Sequence, residues 1–303
     1  MIEGASPCPV LYISGSGRSG STMLERILHS APGIAALGEL HCLWRLPEEE
    51  IRCACTAPFP ADPFWREVLA HARIGPRDLA ELRRLEALVC RTAYLARRRF
   101  RPERLRAEPD VQQFLALNRR LFDAIAAISG ASLLVDSSKA GPRAWLLALD
   151  PAVHVVHLHR DPADVLVSWR SIKFDPGLGT PMKRMPILAA ALDWWKVDRL
   201  ARRLARHRNI AWIDYPALCE SPREVLASLF ALLRLRLPAE PAWIAADAVL
   251  PGLDYHSLNG NPDRFDPGPL RISRRPCDWS RVARLERPLI RAAARLLDRR
   301  RTA

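Results

Sequence analysis

Residues Val10 to Leu28 constrain this chain more than any other stretch. The apolar run Val10-Leu11-Tyr12-Ile13 reads as a buried strand, and Ser14-Gly15-Ser16-Gly17-Arg18-Ser19-Gly20-Ser21-Thr22 reads as a turn. Met23, Leu24, Ile27 and Leu28 then recur on one face of a helix. A strand, a glycine-rich turn and a helix together aim backbone N–H groups and the positive end of a helix dipole at an anion. The spacing Gly15-x4-Gly20-Ser21-Thr22 is that of a P-loop, but Ser21 stands where the motif G-x-x-x-x-G-K-[ST] carries lysine. That lysine reaches the β- and γ-phosphates of a nucleoside triphosphate, so its loss speaks against ordinary ATP or GTP chemistry.

A chain of 303 residues with net charge +13 is long enough for a full α/β core and favours anionic partners. Its positive charge is almost all Arg, with Lys only at 139, 173, 183 and 196. The basic residues are scattered over every predicted helix and never alternate with aromatics, so nucleic acid is not the expected partner. No leader pattern opens the sequence, and no apolar run reaches the ~18 residues of a membrane span. A soluble, cytoplasmic protein is the expectation. The seven Cys do not look like a disulfide framework. Cys53-x-Cys55 is the only close pair, with Cys42 upstream; no second pair or neighbouring His completes a zinc set, so no metal is expected.

After a turn at Pro32-Gly33, Ile34 to Leu37 reads as a second strand ending at Gly38-Glu39. Ligands of parallel α/β sheets bind at the carboxyl ends of strands, which would bring Glu39 to the anion site, as a general base for an acceptor hydroxyl or as a solvated loop residue. From about 45 to 130 no strand signal occurs. The periodic runs Leu79 to Tyr94 and Phe114 to Ile128 read as amphipathic helices of an insert, after a loop marked by Pro58, Pro60 and Pro63. Ser132 to Val135 is the next strand, followed by Asp136-Ser137-Ser138-Lys139. An Asp after such a strand could be a magnesium partner, and the flexible ammonium of Lys139 could reach a transferring group.

Val153 to His159 is a further strand, and His154, His157 and His159 read as hydrogen-bonded sheet residues rather than metal ligands. Asp161 and Pro162 are suited to open the helix that follows, with Arg160 at the strand end and Ser168 on the helix placed to hold a phosphate. Phe174 to Pro186 has the composition of a lid or of a loop that faces the acceptor. Ile210 to Tyr215 reads as a strand, Ser221-Pro222-Arg223-Glu224 as a capping box, Asn259 to Phe265 as a polar loop, and Trp279 to Leu297 as a basic surface helix. The expected architecture is α/β: a P-loop-type three-layer fold over residues 1–303, with a central, mainly parallel sheet flanked by helices, plus the helical insert.

These pieces, in this order, resemble sulfotransferases that use 3′-phosphoadenosine 5′-phosphosulfate (PAPS), particularly bacterial members with a tyrosylprotein-sulfotransferase-like P-loop. Arg18-Ser19-Gly20-Ser21-Thr22, preceded by Gly17, is similar to the family's R-S-G-[ST]-T loop for the 5′-phosphosulfate. Arg160 and Ser168 match the pair for the 3′-phosphate, and Tyr215 matches a tyrosine on the adenine side. Gly260-Asn261-Pro262 with Arg264-Phe265 resembles the loop that closes over the nucleotide. The resemblance implies Glu39 as base, with Lys139 and Arg18 stabilising the transferring group and leaving oxygen, and it requires no metal. A further basic contact falls near Arg170 and Lys173 without singling out either. Two other readings stay open: an atypical P-loop kinase or NTPase using Asp136 for magnesium, and a non-catalytic nucleotide-binding protein. The acceptor, a hydroxyl or an amine, is written in no motif.

Overall fold

The structure, a computed structural model, describes residues 6–59, 61–172, 174–175, 179–182, 184–235, 248–249, 255–266, 268–274 and 278–302. Pro60, Lys173, Lys183 and part of the Phe174 to Pro186 stretch lie outside the described residues.

The chain opens with β1 (Val10–Ser14), α1 (Ser21–His29) and β2 (Ile34–Gly38). The insert follows as α2 (Cys42–Arg45), α3 (Pro63–Ala72), α4 (Pro76–Val89), α5 (Thr92–Arg97), α6 (Pro102–Arg106) and α7 (Pro109–Ser129). Then come β3 (Leu133–Lys139), α8 (Gly141–Leu147), β4 (Val153–His159) and α9 (Pro162–Arg170). A small antiparallel hairpin, β5 (Phe174–Asp175) and β6 (Thr180–Pro181), precedes α10 (Ile187–Leu204), β7 (Ala211–Asp214), α11 (Tyr215–Glu220) and α12 (Pro222–Leu233). The last described elements are the paired β8 (Ala248–Val249) and β9 (Leu270–Arg271), and α13 (Arg287–Thr302).

Five strands form one parallel sheet in the order β2-β3-β1-β4-β7. Parallel neighbours need crossovers, and the helices between successive strands supply them on both faces. Side chains alternate across β1: Val10 and Tyr12 enter the core shared with the insert, while Leu11 and Ile13 enter the core under α1 and α12. The result is the three-layer α/β arrangement expected from the sequence, with β1 at its centre.

The insert is fastened to the sheet by a buried polar cluster. Arg143, fully buried, donates to Asn118 Oδ1 (2.8 Å) and Asp136 Oδ2 (3.4 Å), with Glu86 at 3.9 Å. Burial by itself would lower the arginine's pKa, but the two carboxylates outweigh it and raise it above its ordinary value. Removing one partner would leave a buried charge uncompensated.

Local expectations were met unevenly. Asp161 caps α9 by accepting from Ala163 N (2.8 Å) and Asp164 N (3.3 Å), with Pro162 in the first turn. The predicted capping box at Ser221 is not formed: its side chain makes no cap hydrogen bond, and Pro222 opens the helix by its fixed φ alone. The run Leu79 to Tyr94 is not one helix, because Arg91 takes an extended backbone between α4 and α5. Trp279 to Leu297 is likewise divided, into two 3-10 turns and α13, which packs on α9 and α10. Tyr215 does not end β7; it is the first residue of α11.

Candidate active site

A cleft of about 650 Å³ opens at the carboxyl ends of the parallel strands. Gly17, Arg18, Gly20, Ser21 and Thr22 from the β1–α1 loop, Glu39 after β2, Lys139 ending β3 and Arg160 after β4 all line it. Ser168 on α9, Tyr215 on α11, and Gly260 and Asn261 from the late loop complete the wall. Ser19 and Arg264, also expected at this site, stand behind it, each almost completely buried.

The β1–α1 loop owes its shape to two close contacts. Gly20 has φ +100°, a left-handed conformation that L side chains rarely adopt, and its carbonyl accepts from Met23 N (3.0 Å) and Leu24 N (3.2 Å) to start α1. A Cβ there would also stand 2.5 Å from the Tyr215 ring. Gly17 lies against the indole of Trp169, and a Cβ would overlap Cζ2. Trp169 in turn carries the guanidinium of Arg18 5.1 Å from its ring centroid, while Arg18 Nη2 donates to Met182 Sδ (3.5 Å). Burial lowers the pKa of Arg18, opposed by Asp263 and Glu39. Arg18 and Lys139 both adopt positive φ (71° and 65°), so two cleft cations sit on strained backbone.

Lys139 Nζ donates to Glu39 Oε1 at 2.5 Å. The sequence reading placed Asp136 to Lys139 beyond the strand, but β3 runs on through all four residues. Its register against β1 shifts between Tyr12↔Asp136 and Ser14↔Lys139, and that extra residue re-aims the lysine at the strand end. Asp136 points away from the cleft. Its carboxylate accepts from Ser138 N (2.9 Å), Ser138 Oγ (2.5 Å) and Arg143, and it is fully buried, which takes away the magnesium role considered for it.

Arg160 is held before any ligand arrives. Its guanidinium lies 4.3 Å from the Tyr215 ring centroid, Nη1 donates to Arg18 O (3.2 Å), and Asp164 Oδ2 is 3.8 Å from Nε. Trp194 Nε1 donates to the Arg160 carbonyl (3.0 Å). Arg170 is committed elsewhere, pairing with Glu286 at 2.7 Å. Buried Ser19 Oγ, Arg160 Nε and Asn261 Oδ1 have no hydrogen-bond partner among the described residues. Of these, the Arg160 donor belongs to the cationic wall, which with Arg18 and Lys139 gives the cleft a charge suited to an anion.

Several residues that build the site carried no motif. Glu25, on the inner face of α1, accepts from Ser137 Oγ (2.5 Å), Ser257 Oγ (2.5 Å) and Tyr255 Oη (3.1 Å), and burial raises its pKa. Arg26 donates to the carbonyls of Asp263 (2.7 Å), Asp266 (3.0 Å) and Gly268 (3.2 Å), tying α1 to the late loop. Arg264 supports that loop from inside by donating to Gly260 O (2.8 Å). His41, lining the cleft, is held neutral: burial first, then Arg143, Arg45 and Lys139, push its pKa well below the ordinary value. An Arg or Glu at an apolar helix position was the available signal for Glu25 and Arg26, and it does not name a partner. Sequence also missed that the Cys53-x-Cys55 pair has company. Cys53 Sγ lies 3.7 Å from His256 Nδ1, and Cys55 Sγ donates to Asp62 Oδ2 at 3.1 Å.

The fold and the β1–α1 loop define an α/β protein of the P-loop type. The chain belongs to the sulfotransferase family, whose model matches residues 9–239. None of the proteins of curated function matches it. Among solved structures it is similar to the sulfotransferase domain of the Synechococcus PCC 7002 olefin synthase, at 21% identity, TM-score 0.42, and coverage of 88% of this chain and 86% of that one. The sulfotransferase domain from the curacin biosynthetic pathway gives 17% identity, TM-score 0.46, and coverage of 94% and 98%. Sulfotransferase STF1 from Mycobacterium tuberculosis H37Rv gives 18% identity, TM-score 0.45, and coverage of 77% and 69%. Family membership rests on the sequence match. No helix among the described residues is long and apolar enough to cross a membrane.

Proposed function

We propose that the chain is a PAPS-dependent sulfotransferase, a single domain over residues 1–303 that moves a sulfuryl group to an acceptor hydroxyl or amine. The observation that carries this reading is the placement of the Lys139–Glu39 pair in the same cleft as a P-loop frame that lacks its lysine. The lysine-free loop suits a donor with one sulfuryl group on a single phosphate. Backbone N–H groups with Gly17, Arg18, Ser19, Gly20, Ser21 and Thr22 would hold the 5′ side, and Arg160 and Ser168 the 3′-phosphate. Tyr215 would face the adenine side, and Gly260, Asn261 and Arg264 would form the closing loop.

In this reading Glu39 takes the proton of the acceptor as its oxygen or nitrogen bonds to sulfur in line. The bond from sulfur to the 5′-phosphate oxygen breaks, and its electron pair leaves on that oxygen. Lys139 and Arg18 neutralise the charge that develops there. An ammonium has three N–H donors, so Lys139 can hold Glu39 and the leaving oxygen together. Positioning and fixed charge supply the acceleration, and no step calls on a metal. The cytoplasmic setting belongs to the same proposal. Six described cysteines are free thiols, as a reducing compartment favours.

The test is thermal stabilisation of the purified protein by 3′-phosphoadenosine 5′-phosphate (PAP), beside AMP, ADP and magnesium-ATP. A large shift with the 3′,5′-bisphosphate alone supports the donor class. A shift with magnesium-ATP would replace this reading with a P-loop kinase, and binding of PAP with no turnover of PAPS on any acceptor would leave a nucleotide-binding protein.

A further inference from the structure

Apart from the cleft, a second group of chemically competent side chains comes together where the insert begins. Cys53 Sγ, Cys55 Sγ, one Asp62 carboxylate oxygen and one His256 ring nitrogen all lie within 4.8 Å of one another. The two sulfurs are 3.0 Å apart, and Asp62 Oδ2 is 3.1 Å from Cys55 Sγ and 3.5 Å from His256 Nδ1. The sulfur separation is far beyond a disulfide bond of about 2.05 Å. A tetrahedral zinc with S ligands at about 2.3 Å and N or O ligands at about 2.0 Å has ligand-to-ligand edges of about 3.3–3.8 Å. Four of the separations are 3.0, 3.1, 3.5 and 3.7 Å, and the sulfurs would part by about 0.8 Å to reach the edge between two S ligands.

We propose that Cys53, Cys55, Asp62 and His256 form a structural zinc site. The chemistry of the set favours it: zinc is a borderline-soft ion that takes Cys sulfur, His nitrogen and Asp oxygen, and four such ligands close a tetrahedral site. Asp62 is fully buried, and its ion-pair partner among the described residues is His256. Asp62 Oδ2 accepts from Cys55 Sγ, so the carboxylate is ionised and already turned toward the sulfurs, as a ligand must be. With both thiols ionised the set carries three negative charges, which a dication largely offsets.

The surroundings fix the ligands as an outer shell does. Asp62 Oδ1 is engaged as the cap of α3, accepting from Phe64 N (3.0 Å), which turns Oδ2 into the cluster. The Phe64 ring stacks on His256 at 4.3 Å with planes 9° apart, and Trp65 Nε1 donates to the His256 carbonyl (3.2 Å). Pro63-Phe64-Trp65 thereby gains a role that the transfer reaction did not give it. The sequence places no neighbouring histidine beside this pair; the fold brings one from 203 positions away.

Such a site would fasten the start of the insert to the segment leading into the late loop. Ala54 N already donates to Ser257 O (2.9 Å), and Asn259 N to Arg52 O (2.8 Å). Leu258, two residues after His256, accepts from Glu39 N at 2.7 Å. A cation here would thus brace the backbone of the proposed base without entering the cleft.

The experiment is metal analysis of untagged protein purified under reducing conditions, with a cobalt(II) titration of the same protein stripped of metal. About one zinc per chain is expected, with thiolate-to-cobalt charge-transfer absorption on titration. Cys55→Ser and His256→Ala should each lose the zinc, and Cys219→Ser should keep it. Well under one equivalent of metal, no cobalt–thiolate spectrum, or a Cys53–Cys55 disulfide found by mass spectrometry in the reduced preparation would overturn the site. The titration needs no variant, so misfolded variants leave the outcome readable. The readout is also independent of the sulfuryl donor.

Discussion

Lys139 Nζ and Glu39 Oε1, 2.5 Å apart, join the carboxyl ends of the neighbouring strands β3 and β2 at the mouth of the cleft. The pair sets the ammonium and the carboxylate in place before any ligand binds. It also makes each side chain the other's support, so a variant must be chosen to remove chemistry while leaving that support.

Glu39→Gln does this, because its amide oxygen can still accept from Lys139. PAP affinity is expected within about threefold of the wild type, while turnover of PAPS falls by about 10²- to 10⁴-fold, the usual contribution of a general base. Calorimetric binding beside a single-turnover transfer assay separates the two. Unimpaired turnover would move the base role to another cleft residue.

Arg160→Ala should weaken PAP by about 10-fold or more, as expected for a lost charged hydrogen bond of roughly 1.5–3 kcal/mol. Adenosine 5′-phosphosulfate, which lacks the 3′-phosphate, should lose little. Equal losses for both ligands would mean that Arg160 acts by packing on Tyr215 rather than by meeting a phosphate.

Gly17→Ala forces a methyl group into the Trp169 indole and should cost about 1–3 kcal/mol, read as a lower denaturation midpoint. Trp169→Ala made in the same chain removes the obstacle. The double variant should therefore be more stable than the sum of the two single losses. Simple additivity would show that the loop yields without strain.

Burial in the sheet, partly opposed by Asp198, lowers the pKa of His157 from 6.5 to about 4. The unfolded chain takes up this proton first as the pH falls. The stabilisation from keeping His157 neutral is therefore fully present above about pH 6.5 and is lost between 6.5 and 4, by up to about 1.4 kcal/mol per pH unit. Urea midpoints measured across that window should fall more steeply for the wild type than for His157→Leu. Parallel curves would assign the acid sensitivity to other groups.

The sequence determined the local pieces by itself. Hydrophobic period marks β1 and α1, glycine spacing marks the loop between them, and Asp161-Pro162 marks the start of α9, because each is set by backbone preferences within a few residues. It also brought most of the proposed cleft residues to strand ends, since parallel α/β units present those ends on one side. Tertiary structure decided what depends on pairing between distant segments. The order β2-β3-β1-β4-β7, the register shift that aims Lys139, and the Glu25 and Arg26 ties from α1 have no local signature. The meeting of Cys53, Cys55 and Asp62 with His256 is of the same kind: a cysteine pair is visible in the sequence, but only the folded chain returns a histidine to it.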